Sequence, residues 1–186
     1  TSARPHALLP TIISRCQVLN LRSLPRQQVV EALTAHWGAS NERAELLARL
    51  ADGQLGWAVQ RLTDSQAWEE RARRLAEARD LPQQSRLQRL AYADELSRSP
   101  AALLPTLALW ASWWRDLLLV QQGCAAWLRN VDLADELALE ASRFDPGQVH
   151  AYLARLHAAP TQINQNANAR LLLETLVLHM PAVSSA

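Results

Sequence analysis

The best-specified charged residue in this sequence is Arg15. It follows the run Leu8-Leu9-Pro10-Thr11-Ile12-Ile13 and stands between Ser14 and Cys16. A short helical turn with Pro10 near its start would deliver this guanidinium to the end of an element. Residues 17–21 then alternate polar and apolar side chains, the period of a half-buried strand. By residue type alone, the simpler reading is a surface arginine at a helix-to-strand turn. Other chemistry is excluded more firmly. All 19 basic residues are arginines. A Walker A loop needs a lysine at the β/γ-phosphates, so the chain cannot complete an ATP site of that kind. His6, His36, His150, His157 and His179 are dispersed, and no Cys/His spacing suits zinc, so no metal site is expected. Asp94-Glu95 and Asp135-Glu136 are adjacent pairs that would point in different directions on a helix, a poor arrangement for acid/base work. No nucleophile elbow, glycine-rich phosphate loop or H-E-x-x-H is present. The chain alone is expected to be neither an enzyme nor a holder of a cofactor.

The elements that would position Arg15 are helical. Apolar residues make up 49% of 186 positions, enough for a packed core, and helix formers dominate while Gly (5), Phe (1) and Tyr (2) are scarce. The fold class expected is all-α. A net charge of +1 gives no global field for nucleic acid. No apolar run reaches the length of a membrane span. Cys16 and Cys124 are expected to be small buried hydrophobes of a cytoplasmic protein rather than a disulfide.

Ser23-Leu24-Pro25 reads as a helix start, followed by Val29, Val30, Leu33 and Trp37 at helical spacing and Gly38 as a stop. Ser40 would cap a second helix carrying Ala44, Leu47, Leu50 and Ala51, ended by Gly53. A third fits residues 55–62. Residues 64–80 read as a charged, mostly solvated helix whose arginines are laced with Glu69, Glu70, Glu77 and Asp80. Another spans 83–96, with Leu87, Leu90, Ala91 and Leu96 inward. Ser99-Pro100 opens the longest apolar helix, 101–122, with Trp110 and Trp114 on one face and Gly123 at its end. Asn130 and Asp132 would cap a helix over 133–143. Residues 149–158 form the next helix. The last begins within 164–168 and runs to His179, its stripe including Leu172, Leu173, Leu176, Val177 and Met180.

The run Leu8-Leu9-Pro10-Thr11-Ile12-x-Ser14-Arg15-Cys16 resembles the SRC motif that closes the ATPase domain of bacterial DNA polymerase III clamp-loader subunits. Three further stretches follow in the family's order. Ala51-Asp52-Gly53-Gln54-Leu55-Gly56-Trp57-Ala58 is similar to the sensor-2 stretch. Trp113-Trp114-Arg115-Asp116-Leu117-Leu118 with the later Asn130-x-Asp132 looks like the third-domain pattern. Asn166-x-Asn168-x-Arg170-Leu171-x-Leu173-Glu174 resembles the terminal signature. Thr1 and Ser2 stand where sensor-1 residues would, by position only.

The resemblance implies three parts. Residues 1–21 would be the C-terminal edge of an AAA+ ATPase-like domain, 22–64 a three-helix lid, and 65–186 a helical collar for oligomerisation. Arg15 would be a finger acting in trans, supported by Ser14 and Cys16, on ATP and Mg held by a neighbouring subunit. Gly53 and Gly56 would mark the sensor-2-like turn, and Gly56 stands where ATP-binding gamma/tau subunits carry arginine. The chain is therefore most like delta-prime, which keeps its SRC arginine without hydrolysing ATP. The resemblance further implies gamma/tau and delta as partner subunits, with the sliding clamp and primed DNA met through the assembled complex. The interface is expected on Trp110, Trp113, Trp114, Leu173 and Leu176. A gamma/tau-type subunit, or a helical interaction module unrelated to ATP, are the other readings. With Thr1 first and the SRC motif within sixteen residues, the expectation is the C-terminal part of a longer protein.

Overall fold

A computed structural model of the chain describes residues 9, 11, 14–17 and 22–183, and among these every regular element is helical. Most of the run leading into Arg15 and of the strand expected over 17–21, together with Thr1 and Ser2, lies outside the described residues. None of the described helices is long and apolar enough to cross a membrane.

The first unit is built from α1 (Arg26–Trp37), α2 (Asn41–Ala51) and α3 (Leu55–Leu62). Pro25 occupies the N-cap of α1, and Gly38 ends it in the left-handed region at φ 64°. The Ser40 hydroxyl caps α2 by accepting from Arg43 N at 3.3 Å. Val29, Leu33, Ala44, Leu47, Ala48, Ala51 and Ala58 form a small closed core. Its many alanines let the three helix axes approach closely.

The second unit has its own core. It comprises α4 (Ser65–Asp80), α5 (Arg86–Ser97), α6 (Pro100–Gln121), α7 (Ala134–Ala141), α8 (Pro146–Asn164) and α9 (Ala169–Leu178). Asp64 caps α4, Ser85 and Gln88 close a reciprocal capping box on α5, and Asp145 and Asn168 cap α8 and α9. The 22-residue α6 is the axis: α4, α5, α7 and α8 all pack on it. Its composition is apolar nearly all round because it is covered nearly all round. The α9 helix closes the bundle against α5 and α8.

Several expectations change here. The helix expected to end at residue 158 continues through Pro160 to Asn164. Leu156 and Ala159 are buried on the core with Ile163 packed beyond them, and this burial carries the helix across a residue that removes one backbone donor. Leu87, expected inward, is 79% exposed, and Ala93 is the buried position of α5. Both cysteines are exposed rather than buried, and both are free thiols. Two arginines on the helix expected to be solvated are largely covered: the Arg71 and Arg74 side chains keep 13% and 12% of their surface.

Trp110, Trp113 and Trp114 are buried at 0–1% exposure, and Leu173 and Leu176 likewise. The Trp114 ring meets Phe144 and Tyr152 edge-on at 5.0 and 5.5 Å, and Trp110 stacks on Tyr92 at 5.9 Å. These five residues therefore face the chain's own helices. As the expected interface set they are corrected: their surfaces are spent inside the bundle, and a partner can touch only what flanks them.

Candidate functional site

The turn holding Arg15 is exposed from Ser14 to Gln17, and the Ser14 hydroxyl donates to the Thr11 carbonyl at 3.2 Å. This bond ties the residue before Arg15 back into the preceding turn. Arg15 itself is exposed.

The two glycines of the sensor-2-like stretch have different reasons to be there. Asp52 and Gly53 both adopt positive φ, 52° and 80°, to turn the chain from α2 into α3. The Gly53 carbonyl accepts Leu24 N at 2.9 Å, and a Cβ on Gly53 would sit 2.5 Å from the Leu24 carbonyl oxygen. Gly53 is thus fixed by geometry. Gly56 lies in the first turn of α3, and a Cβ there would meet nothing within 4 Å. Packing does not demand glycine at that position. Arg61, a turn and a half further on, pairs with Asp64 at 3.1 Å and approaches the Trp57 ring at 5.6 Å.

The Arg115-Asp116 and Asn130-x-Asp132 pattern turns out to be one polar network that builds the loop between α6 and α7. Asp116, at 0% exposure, accepts from Arg129 N, Asn130 N and Asn130 Nδ2 at 2.7–3.1 Å, and from Arg115 Nη1 at 2.9 Å. Asn130 also donates to the Ser112 hydroxyl at 2.9 Å and accepts from Arg71 Nη2 at 2.7 Å. Arg71 grips Asp132 with both terminal nitrogens, at 2.7 and 3.0 Å. Asn130 and Asp132 therefore do not cap the following helix; they bind the loop to α4 and α6 instead. Their spacing in sequence marked them, but their partners are 14 to 61 positions away, beyond any local rule.

This loop also joins the two units. Arg49 of α2 donates Nη1 to the carbonyls of Ala126 (3.1 Å) and Leu128 (2.8 Å), and Arg129 pairs with Asp52 at 3.1 Å. Arg43 stacks over the Trp68 ring at 3.7 Å, and Trp68 Nε1 donates to the Arg61 carbonyl at 2.7 Å. Burial beside Arg71 lowers the affinity of the Arg43 guanidinium for its proton. On α4, Glu70 accepts from Arg73 and Arg74, which together hold its carboxyl down at about 2. Arg79 pairs with Glu136 and Arg73 with Glu77. The expected ion-pair lacing exists, but Arg71 and Arg79 find their acids on other elements.

Three exposed leucines lie on α5 and α9: Leu87, Leu171 and Leu178 are 79%, 59% and 42% exposed, while Trp127 (72%) and Leu139 (76%) are exposed elsewhere. Of the run Leu171-Leu172-Leu173, only Leu173 is buried. Three consecutive residues span about 200° of helix surface, so one of them had to face outward. The described residues contain no cluster of His, Cys, Asp and Glu able to hold a metal ion.

No curated protein matches the chain. The family model described as DNA polymerase III, delta subunit, C terminal, matches residues 65–181, more than half of the chain and nearly all of the second unit. The chain therefore belongs to this DNA polymerase III clamp-loader family.

Proposed function

We propose that the chain serves as a delta-prime-like, non-catalytic clamp-loader subunit in DNA replication. Residues 1–21 are then the closing edge of an AAA+ ATPase-like domain, 22–64 a lid and 65–186 the collar. The observation that carries this reading is the order of parts. The family match begins at residue 65, just after a closed three-helix unit, and an exposed arginine in an SRC turn precedes that unit. Gly56, where packing would admit a side chain, stands in place of the sensor-2 arginine of gamma/tau-type subunits. That feature favours delta-prime over a gamma/tau-type ATPase.

The mechanism is positional. ATP and Mg sit on a neighbouring subunit, and charge develops on the γ-phosphoryl group as it leaves. Arg15, fully charged and planar, donates to those oxygens from across the interface. Fingers of this kind are worth about 10³–10⁵ in rate. The collar holds the subunits so that the contact forms only in the assembled loader, where gamma/tau, delta, the sliding clamp and primed DNA are met. The test is Arg15→Ala in the reconstituted complex. ATP hydrolysis and clamp loading fall while folding and assembly persist; an unchanged ATPase overturns the finger assignment.

A further inference from the structure

The three-helix unit and the bundle are joined in sequence by Thr63 and Asp64 alone, between the end of α3 and the start of α4. So short a link acts as a hinge unless other contacts oppose it. There is also room to move. A cleft of about 550 Å³ opens between the units, with Asp52 and Trp57 on one side and Leu109 and Ser112 on the other. Units parted by such a gap depend on particular contacts for their mutual angle.

The contacts across the gap differ in what they can hold. Trp68 packs on the core of the three-helix unit, donates Nε1 to the Arg61 carbonyl at 2.7 Å and carries Arg43 over its ring at 3.7 Å. It stands one turn past the hinge, so it serves as a pivot and opposes rotation weakly. Asp52 meets Arg129 at 3.1 Å, but 78% of the Asp52 side chain is exposed, and water and salt screen so open a pair.

Arg49 is placed differently. Its Nη1 donates to the carbonyls of Ala126 and Leu128 at 3.1 and 2.8 Å, 77 and 79 positions along the chain, and only 17% of its side chain is exposed. Glu45, on the same helix, accepts from its Nε at 3.2 Å, so the guanidinium is already aimed. Its acceptors are equally fixed. Leu128 is buried in the bundle core, and Asp116 binds the N–H of Arg129 just beyond. A charged donor held between two acceptors on fixed backbone is both strong and geometrically specific.

We propose that Arg49 is a latch that fixes the angle of the three-helix unit on the bundle. Its release lets the unit swing about Thr63 and Asp64, with Trp68 as pivot and the cleft as the space it closes. The latch lies wholly within the chain and stands whether or not Arg15 acts as a finger.

The experiment places nitroxide labels on the two units and reads their separation by double electron–electron resonance. Gln28→Cys on α1 and His157→Cys on α8, both exposed positions, carry the labels, with Cys16→Ser and Cys124→Ser removing the native free thiols. This labelled parent gives one narrow distance distribution, also at raised salt, because the acceptors of Arg49 are uncharged. Arg49→Met, which keeps the aliphatic stem, broadens the distribution about twofold. Arg129→Gln leaves it narrow. Hydrogen exchange keeps the amides of Leu47 and Leu153 protected in every variant, one in each core. A narrow distribution in Arg49→Met, or equal broadening in Arg129→Gln, overturns the proposal. Lost protection at Leu47 in Arg49→Met overturns it as well, by showing that Arg49 holds its own unit together rather than the angle between units.

Discussion

Asp116 Oδ2 accepts the backbone N–H of Asn130 at 2.7 Å, fourteen positions further along the chain and wholly inside the protein. The same carboxylate takes three more donors, so the α6–α7 loop is organised around one buried charge. Removing it strands the N–H groups of Arg129 and Asn130 with no acceptor. Asp116→Ala is therefore expected to cost about 3 kcal/mol, and Asp116→Asn nearly as much, because an amide offers its own N–H toward donors. Urea unfolding measures this. A loss below about 0.5 kcal/mol, the size of an ordinary surface change, means that the network does not support the loop.

The two glycines near α3 should separate cleanly. Gly53→Ala forces a Cβ to 2.5 Å from the Leu24 carbonyl at φ 80°, and a loss of about 2 kcal/mol or more is expected. Gly56→Ala enters open space in a helix and should gain about 0.5–1 kcal/mol. Equal effects of the two changes would remove the distinction between a geometric glycine and a free one.

What the sequence revealed and what it hid follows from the range of the interactions. Ser40 was legible as a cap because a cap binds within three residues. The helix over 55–62 was legible because a 3.6-residue period needs nothing outside itself. The Trp110/Trp113/Trp114 helix was found, but its faces were not. Whether a tryptophan points at the protein's own core or at a partner depends on α5, α8 and Phe144, which no local pattern places. Asn130 and Asp132 were noticed for spacing and misread as caps, since their partners Asp116 and Arg71 lie on other helices. Pro160 reads as a stop in any window; only the burial of Leu156 and Ala159 on α6 shows why it is not.

Glu70 gives a pH dependence whose sign is fixed by its environment. Hydrogen bonds from Arg73 and then Arg74 hold its carboxyl at about 2, below the ordinary value near 4.3 of an unfolded chain. A depressed carboxyl contributes stability that is present above the unfolded value and is lost as pH falls toward about 2. With 40% of its side chain exposed, water screens the pair, so the contribution is about 0.5 kcal/mol rather than the full shift. Stability measured from pH 5 downward should fall less steeply in Glu70→Gln than in the parent protein. Parallel curves would mean that the arginines gain nothing from this carboxylate.

The last expectation concerns where another subunit meets the bundle. Arg89, near the start of α5, donates to the Val177 carbonyl near the end of α9 at 3.1 Å, while Arg170 at the start of α9 pairs with Asp94 at 3.0 Å. The two helices thus run antiparallel, which puts Leu87 and Leu178 at one end of the pair and Leu171 two turns along α9. All three are exposed leucines that the chain's own fold leaves uncovered. If the collar assembles through this pair, Leu87→Glu and Leu171→Glu should each fold with stability within about 0.5 kcal/mol of the parent, since neither side chain is packed. Each should nonetheless weaken assembly of the reconstituted loader about tenfold, by placing a charge in an apolar contact. Leu139→Glu, at a position 76% exposed on α7, is the control that leaves assembly unchanged. Trp110→Ala cannot serve this purpose. It empties a fully buried indole site at a cost of about 3–5 kcal/mol, a large part of the about 5–15 kcal/mol that holds a domain, so lost assembly would only report lost folding. Sedimentation of the complex distinguishes the outcomes: if Leu87→Glu and Leu171→Glu assemble as the parent does, the α5–α9 face is not where the neighbouring subunit binds.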